Sequence, residues 1–424
     1  MLDIKVIRTR TEDVKRAVQV KGCDVDIDRI LELDGQRREL THESEQLRAR
    51  RNSLSKDIPK LSKEERPGAI AEVKDIKERL STMEADLSTV QEEYDALMLL
   101  VPIIPHKDSP IGMREEDNVV LRTWGTPREF DFEPRDHEDL GRLLNIIDKD
   151  RAIAFAGGRS YILRGAGAML DLAVMRLALD IVIERGFTPI LGPLMVNEVA
   201  LVGTGFFPHG KEDVYHLEKD DKWLIGTSEV QLVAMHMNET FEEAQLPLLY
   251  TGYSPCFRRE AGSHGRDTRG VFRVHQFNKV EQVIICAADE EENDRHHDFL
   301  VENAERVLRA LELPHRVSAA CTGEMGQGKY KMYEVETWMP SRNAYSETHS
   351  CSSLQDFQAR RLNIKYKDED GKTHVAWTLN NTAAASPRIL IPLLETHQNA
   401  DGSVDLPEAL HKYMYGITRL EPVE

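Results

Sequence analysis

The chain has 424 residues, enough for two or three domains, and 41% of them are hydrophobic, the ordinary share for a chain with a buried core. Lys and Arg number 55 against 73 Asp and Glu, a formal charge of -18, which argues against nucleic-acid binding over the whole surface and leaves room only for a local basic patch. The N-terminus Met1-Leu2-Asp3-Ile4-Lys5-Val6 lacks the pattern of a secretory signal, and no apolar run approaches the roughly 20 residues of a bilayer span, so a cytoplasmic address without a membrane partner is expected.

In chain order, the first long segment places leucine at Leu33, Leu40, Leu47 and Leu54, one half of a heptad seam. The second runs Val73, Ile76, Leu80, Met83, Leu87, Val90, Tyr94, Leu97, with apolar spacings of three and four throughout. Between them Ile58-Pro59 and Pro67-Gly68 should break the helix and reverse the chain near residues 56 to 68. The pattern predicts a projecting antiparallel two-helix coiled-coil arm, with helices of about 28 residues and a length of roughly 40 Å. Residues 37 to 63 carry eight basic side chains, including Arg37, Arg38, Arg48, Arg50, Arg51 and Lys56, against four acidic ones. Solvated coiled-coil charges, a dimerisation hairpin and a phosphate-binding tip are all compatible with that excess.

From Leu100 the heptads stop, and a stretch rich in proline, glycine and acid to about residue 135 reads as a linker. Beyond it, strand-like runs (Arg273 to Phe277, Val280 to Cys286, Val375 to Leu379) alternate with amphipathic helices (Asp136 to Leu144, Met169 to Arg185, Asp289 to Leu311), which suggests an α+β domain. The cysteines (Cys23, Cys256, Cys286, Cys321, Cys351) are scattered and show no CxxC pair, so reduced, buried thiols and no structural zinc are expected.

No GxxxxGK[ST] or GxGxxG cradle is present, so any nucleotide must be held by another device. The segment Cys256 to Arg273 offers one, since it carries three glycines and five arginines between strand-like ends. Guanidinium forks bind oxyanions bidentately and glycine lets a backbone approach them, so the residues describe an anion site or a surface loop laced with ion pairs.

That segment, Phe257-Arg258-Arg259-Glu260 through Arg273, resembles motif 2 of the class II aminoacyl-tRNA synthetases, and its Glu260-Ala261-Gly262-Ser263 start and Asp267-Thr268-Arg269-Gly270 end are similar to those of the seryl-tRNA synthetase family. Gly186-Phe187 to Pro193-Leu194-Met195-Val196-Asn197 resembles motif 1, whose proline lies at a dimer interface. Gly226-Thr227-Ser228-Glu229 is similar to the family's serine-binding loop. Glu347-Thr348-His349-Ser350 and Asp356-Phe357-Gln358-Ala359-Arg360-Arg361 resemble the signature ahead of motif 3, which would run from Thr378-Leu379-Asn380 to Arg388. The resemblance spans nearly the whole chain and includes the arm.

It implies a tRNA-binding domain over residues 1–105 with its arm at about 27–100, a linker at 106–135, and a catalytic domain at 136–424 built on an antiparallel sheet flanked by helices. The implied activity is that of an AMP-forming serine–tRNA ligase, acting as a homodimer on L-serine and serine tRNA, with selenocysteine tRNA left open as a further acceptor. By resemblance, serine is held by Thr227, Ser228, Glu229, Arg258, Glu281, Asn380 and Thr382. ATP is held by Arg258, Arg259, Glu260, Arg273, Val274, Phe277, Glu347, Thr348, His349, Ser350 and Arg388, with adenine between Phe277 and Arg388. Arg258 and Arg388 are the catalytic cations, Glu347 and Ser350 hold Mg²⁺, and the basic residues of the arm meet the tRNA. Three residues depart from the family pattern: Pro387 immediately precedes Arg388, Gln231 replaces a proline, and His264 stands where a small residue is usual. Two rival readings remain at this level, a carrier-protein aminoacyl ligase and a paralogue that binds without catalysis. The arm speaks against the first and the complete site set against the second.

Overall fold

The computed structural model describes residues 1–261 and 270–423, and divides into two units, Met1–Pro102 and Ile103–Glu424. In the first, α1 (Ile4–Thr9) and α2 (Thr11–Val20) precede the hairpin of α3 (Ile27–Asp57) and α4 (Arg66–Met98), whose 31 and 33 residues exceed the expected length. Arg8 donates to the buried carboxylate of Asp34 at 2.7 and 2.8 Å and so ties α1 to α3. Along the seam Leu33, Ile76, Leu80 and Tyr94 are buried, while Leu40, Leu47 and Leu54 are only half covered, as two helices alone allow. The reversal differs from the expectation in one respect. Pro59 lies in a short 3₁₀ turn, but Pro67 begins α4, where the first helical turn needs no donor from it. Ser62 and Glu65 cap each other's backbone N–H groups, and Arg66 donates to the Ile58 and Pro59 carbonyls at 3.1 and 3.0 Å, which closes the turn.

The elements that frame the second unit are, in chain order, β1 (Val119–Trp124), α5 (His137–Leu143), α6 (Ala166–Glu184), β2 (Thr188–Ile190), α7 (Glu198–Thr204), α8 (Glu229–Ala234), β3 (Leu248–Phe257), β4 (Gln276–Cys286), α9 (Glu290–Ala310), β5 (His315–Ala319), β6 (Lys331–Met339), β7 (Ala344–Gln355), α10 (Phe357–Leu362), β8 (Trp377–Ser386) and α11 (Leu390–Thr396). Among the described residues an eight-stranded sheet runs β1-β5-β6-β7-β8-β4-β3-β2. Its neighbours are antiparallel except for the parallel β2–β3 pair. Residues 119–124 therefore belong to the sheet, and the stretch expected as a linker supplies its edge strand: the β-branched Val119 and Val120 pair with Ala319 and Ser318, and the ladder resumes at Arg122 after a register shift. The strand-like runs at Arg273 and Val280 merge into the single β4 from Gln276, and the run at Val375 is broken before β8.

The main core lies on one face of this sheet, under α6 and α9. Leu170, Val174, Ala178 and Val182 repeat every four residues on α6, and Leu300, Val301, Ala304, Val307, Leu308 and Leu311 form the matching stripe of α9. Asp289 caps α9 by accepting from the Glu292 N–H at 2.8 Å, and the acids of the first turn suit the helix dipole. Truncating a side chain such as Leu300 to alanine should cost about 2–5 kcal/mol. With that face closed, the polar residues of the central strands are presented on the other.

Candidate active site

Strand alternation builds the site. On β8, Leu379, Asn381 and Ala383 turn toward α6 and α9, where Asn381 donates to the Leu300 carbonyl, and this sends Asn380 and Thr382 to the opposite face. Thr382 sits opposite Glu281 of β4 in register. Glu229, at the start of α8, enters the same space and is buried. Its Oε1 accepts from Gln358 Nε2 at 2.6 Å and from Asn380 Nδ2 at 2.8 Å. Burial first, and the neighbouring Glu281 carboxylate second, push the Glu229 pKa up to about 7; Gln358 and Lys279 pull against that rise. A carboxylate so placed gains by meeting a cationic ligand.

Glu281 is nearly inaccessible and pairs through Oε2 with Lys279 Nζ at 2.8 Å. The same ammonium reaches Thr227 Oγ1 at 3.3 Å. Ser228, by contrast, turns its hydroxyl into β3, with Ser254 Oγ at 2.8 Å and the Gly252 carbonyl at 3.2 Å, so its side chain lines the sheet rather than this pocket.

Beside the pocket lies a cationic surface. Arg258, at the end of β3, is half-buried with its guanidinium carbon 5.2 Å from the centre of the Phe277 ring. Glu260 adopts φ 55° and pairs with Arg273 at 2.8 Å. Arg388 donates to the Phe272 and Glu347 carbonyls at 3.3 and 3.2 Å and packs 4.4 Å over the Phe272 ring. Burial holds its pKa below the ordinary value; Glu347 opposes that shift while Arg258 and Arg273 reinforce it, so these groups share one electrostatic neighbourhood. Pro387 leaves Arg388 within this cluster. Arg259 faces solvent, and Val274 is buried in the main core, so only its backbone is free to meet a ligand. Gly262 to Arg269, with His264 among them, lie outside the described residues.

On β7, Ser350 stands opposite Glu334 of β6, and a register shift separates that pair from Glu347. Burial and then the Glu347 charge push the Glu334 pKa up to about 8. Hard carboxylate and hydroxyl oxygens beside accumulated negative charge suit a small divalent cation, so Glu347 and Ser350 fit Mg²⁺. Thr348 and His349 are used inside the sheet. Thr348 Oγ1 meets Thr337 Oγ1 at 2.6 Å and His349 Nδ1 at 2.8 Å, and His349 Nε2 donates to the Ala383 carbonyl at 3.1 Å. Burial draws the His349 pKa down to about 3, which keeps the ring neutral.

Two family models match the chain: the seryl-tRNA synthetase N-terminal domain over residues 1–105, and the class II tRNA synthetase core domain (G, H, P, S and T) over residues 214–397. The serine–tRNA ligase of Deinococcus radiodurans is 46% identical, with 98% of each chain covered. The chain belongs to the serine–tRNA ligase family. The ligase of Trichlorobacter lovleyi is 43% identical over 99% of this chain and 100% of its own. Among solved structures, the Pyrococcus horikoshii seryl-tRNA synthetase complexed with ATP superposes with a TM-score of 0.94 at 38% identity, covering all of both chains. The class II synthetase fold, with its antiparallel-dominated sheet and helical N-terminal domain, is thereby shown.

Within this synthetase, the structure gathers Thr227, Glu229, Glu281, Asn380 and Thr382 in one pocket and Arg258, Glu260, Arg273, Glu347 and Arg388 in one charged cluster. Sequence reasoning missed Lys279 and Gln358. Lys279 carried a signal, since it alternates with Glu281 on a strand whose intervening Val280 is core. Gln358 stands within the signature ahead of motif 3, but its role did not show there, because its partner Glu229 is 129 residues away. Gln231 has a structural reading: with its amide turned to donate, it reaches the carbonyls of Gly192 and Pro193, and so ties α8 to the segment resembling motif 1. Buried Cys256 and Cys351 have thiols raised by burial, which suits structural rather than nucleophilic roles. Among the described residues no helix is long and apolar enough to cross a membrane.

Proposed function

We propose that this chain activates L-serine with ATP and transfers it to the 3′ end of serine tRNA. The observation that carries the reading is the juxtaposition of a buried, acid-lined pocket around Glu229 and Glu281 with a cationic cluster around Arg258 and Arg388. The pocket takes the serine ammonium and side-chain hydroxyl, and Arg258 draws the carboxylate toward the α-phosphate. That carboxylate attacks the α-phosphorus and pyrophosphate leaves; a ribose hydroxyl of the tRNA then attacks the seryl-adenylate carbonyl, releasing AMP. No side-chain nucleophile is needed. The protein's contribution is positioning and stabilisation of charge by Arg258 and Arg388. Glu347 and Ser350 hold Mg²⁺, which when bound neutralises phosphate charge. Phe277 and Arg388 offer flat surfaces to adenine.

On the arm, Arg37, Arg38, Arg48, Arg50, Arg51 and Lys56 supply the contacts to tRNA phosphates. The chain acts as a homodimer, a reading supported by the exposed apolar side chains Leu172, Leu191, Met195 and Val199 around the segment resembling motif 1, with Leu191 82% exposed.

Serine-dependent ATP–pyrophosphate exchange tests the first half-reaction. Folded protein with Mg²⁺ should exchange with serine, and a rate no higher than background would overturn the assignment. Charging of serine tRNA against a carrier protein tests the second half, and transfer to the carrier alone would favour the rival ligase.

A further inference from the structure

Lys279 is a charged side chain of the serine pocket to which neither the motifs nor the reaction gives a task. It shares a face of β4 with Glu281 two residues on, its side chain is 10% exposed, and its Nζ lies between Glu281 Oε2 at 2.8 Å and Thr227 Oγ1 at 3.3 Å. The second contact has a consequence for the direction of hydrogen bonding. An ammonium has only donors, so the threonine oxygen must accept from it. The same oxygen accepts from the Glu229 backbone N–H at 3.4 Å. Two N–H donors occupy the two lone pairs of the hydroxyl, and its hydrogen is left to donate to something else.

Glu281 is fixed in the complementary sense. Its Oε2 forms an ion pair with the Lys279 ammonium at 2.8 Å, yet among the described residues this buried oxygen has no hydrogen-bond partner. A carboxylate in an ion pair accepts hydrogen bonds and has no hydrogen to donate. The pocket thus presents one obligatory donor beside one obligatory acceptor. A hydroxyl satisfies both, since it accepts and donates at a single oxygen. A methyl group satisfies neither.

We propose that Lys279 is a positioning residue that fixes Thr227 as donor and Glu281 as acceptor, and thereby makes the pocket select a hydroxyl-bearing amino acid. The inference rests on the reading of this pocket as the serine site.

The test uses the full-length chain and ATP–pyrophosphate exchange with serine and with high concentrations of alanine. Lys279→Met should lower kcat/KM for serine on the order of 100-fold while alanine changes by less than about threefold, so the serine-over-alanine ratio collapses from on the order of 10⁴. Lys279→Arg, which keeps a donating cation, should restore most of the ratio. Equal losses for both amino acids, or an unchanged ratio in Lys279→Met, overturn the proposal. Thermal melts check folding; should Lys279→Met not fold, Thr227→Val must depress serine selectively and Thr227→Ser must recover it, and equal loss for alanine overturns the donor assignment. Glu281→Gln separates the two layers. If it leaves serine kinetics unaltered, the serine site lies elsewhere and both readings fall; if it depresses serine while Lys279→Met keeps the ratio, only the role of Lys279 falls.

Discussion

Opposite charges meet in both units of the molecule, but under different conditions. On the arm, Arg48–Glu84 at 2.7 Å and Arg50–Glu72 at 2.9 Å cross between α3 and α4 with every partner at least 43% exposed. In the catalytic unit, Lys279–Glu281 at 2.8 Å has side chains 10% and 2% exposed. Exposed pairs contribute little to stability and are screened by salt, so the arm's arginines can leave their partners for phosphates at low cost. A buried pair strongly resists loss of one member, because the other is left as an uncompensated charge. The arm therefore holds charge that can be redirected, and the pocket holds charge committed to one geometry. The +4 excess on residues 37 to 63 is moderated for the same reason: α4 sets eight acidic side chains against four basic ones.

The largest test of this contrast is removal of the arm. Replacing residues 30 to 97 with a short turn should abolish charging of serine tRNA while serine-dependent exchange stays within about twofold, and charging that survives would show the arm's basic residues to be dispensable. Next comes Arg258→Ala, expected to depress exchange by at least ~100-fold as one preorganised charge-stabilising group is lost; an unchanged rate would discredit its phosphate role.

Glu229 gives an effect that depends on pH. Its pKa is raised from the ordinary 4.5 to about 7 in the folded chain, so the folded state binds the proton more tightly than the unfolded one. That contribution to stability is complete below pH 4.5 and is lost as pH rises through about 7. Serine's ammonium favours the ionised form, so serine affinity should rise with pH up to about 7 and then level, as titration calorimetry would show. Glu229→Gln should weaken serine binding and flatten that profile; a profile unchanged by the substitution would assign the titration to another group. The smallest effect belongs to Glu72→Ala on the arm, which should move the melting temperature of the full chain by no more than ~2 °C. A larger shift would contradict the claim that the exposed pairs are expendable.

The heptads of α3 and α4 were legible because helical periodicity is local and repeats many times. Motif residues were legible as chemistry, and five of the seven residues assigned to serine by resemblance meet in one pocket. What escaped was set by sheet register. Asn380 to Ser386 is polar and small, a poor strand by propensity, yet it forms the second half of β8 because β4 pairs along it and β7 joins at Asn380 and Asn381. Thr348 and His349 looked like ligands to the nucleotide and are consumed by the sheet, since alternation and a register shift turn them inward. Lys279 acquires its partner Thr227 from a loop 52 residues earlier, a proximity no local pattern encodes.

Strand β1 carries a practical lesson for any truncated version of this enzyme. A fragment begun at residue 136, where the composition suggests the catalytic domain starts, would discard β1 and strip the ladder from β5. It would also remove Arg122, which donates at 2.7 Å to the carboxylate of Glu305, only 4% exposed on α9. An uncovered strand of β5's kind is a template for pairing with another chain, so such a fragment should aggregate, whereas one begun at Ile103 keeps its rim closed.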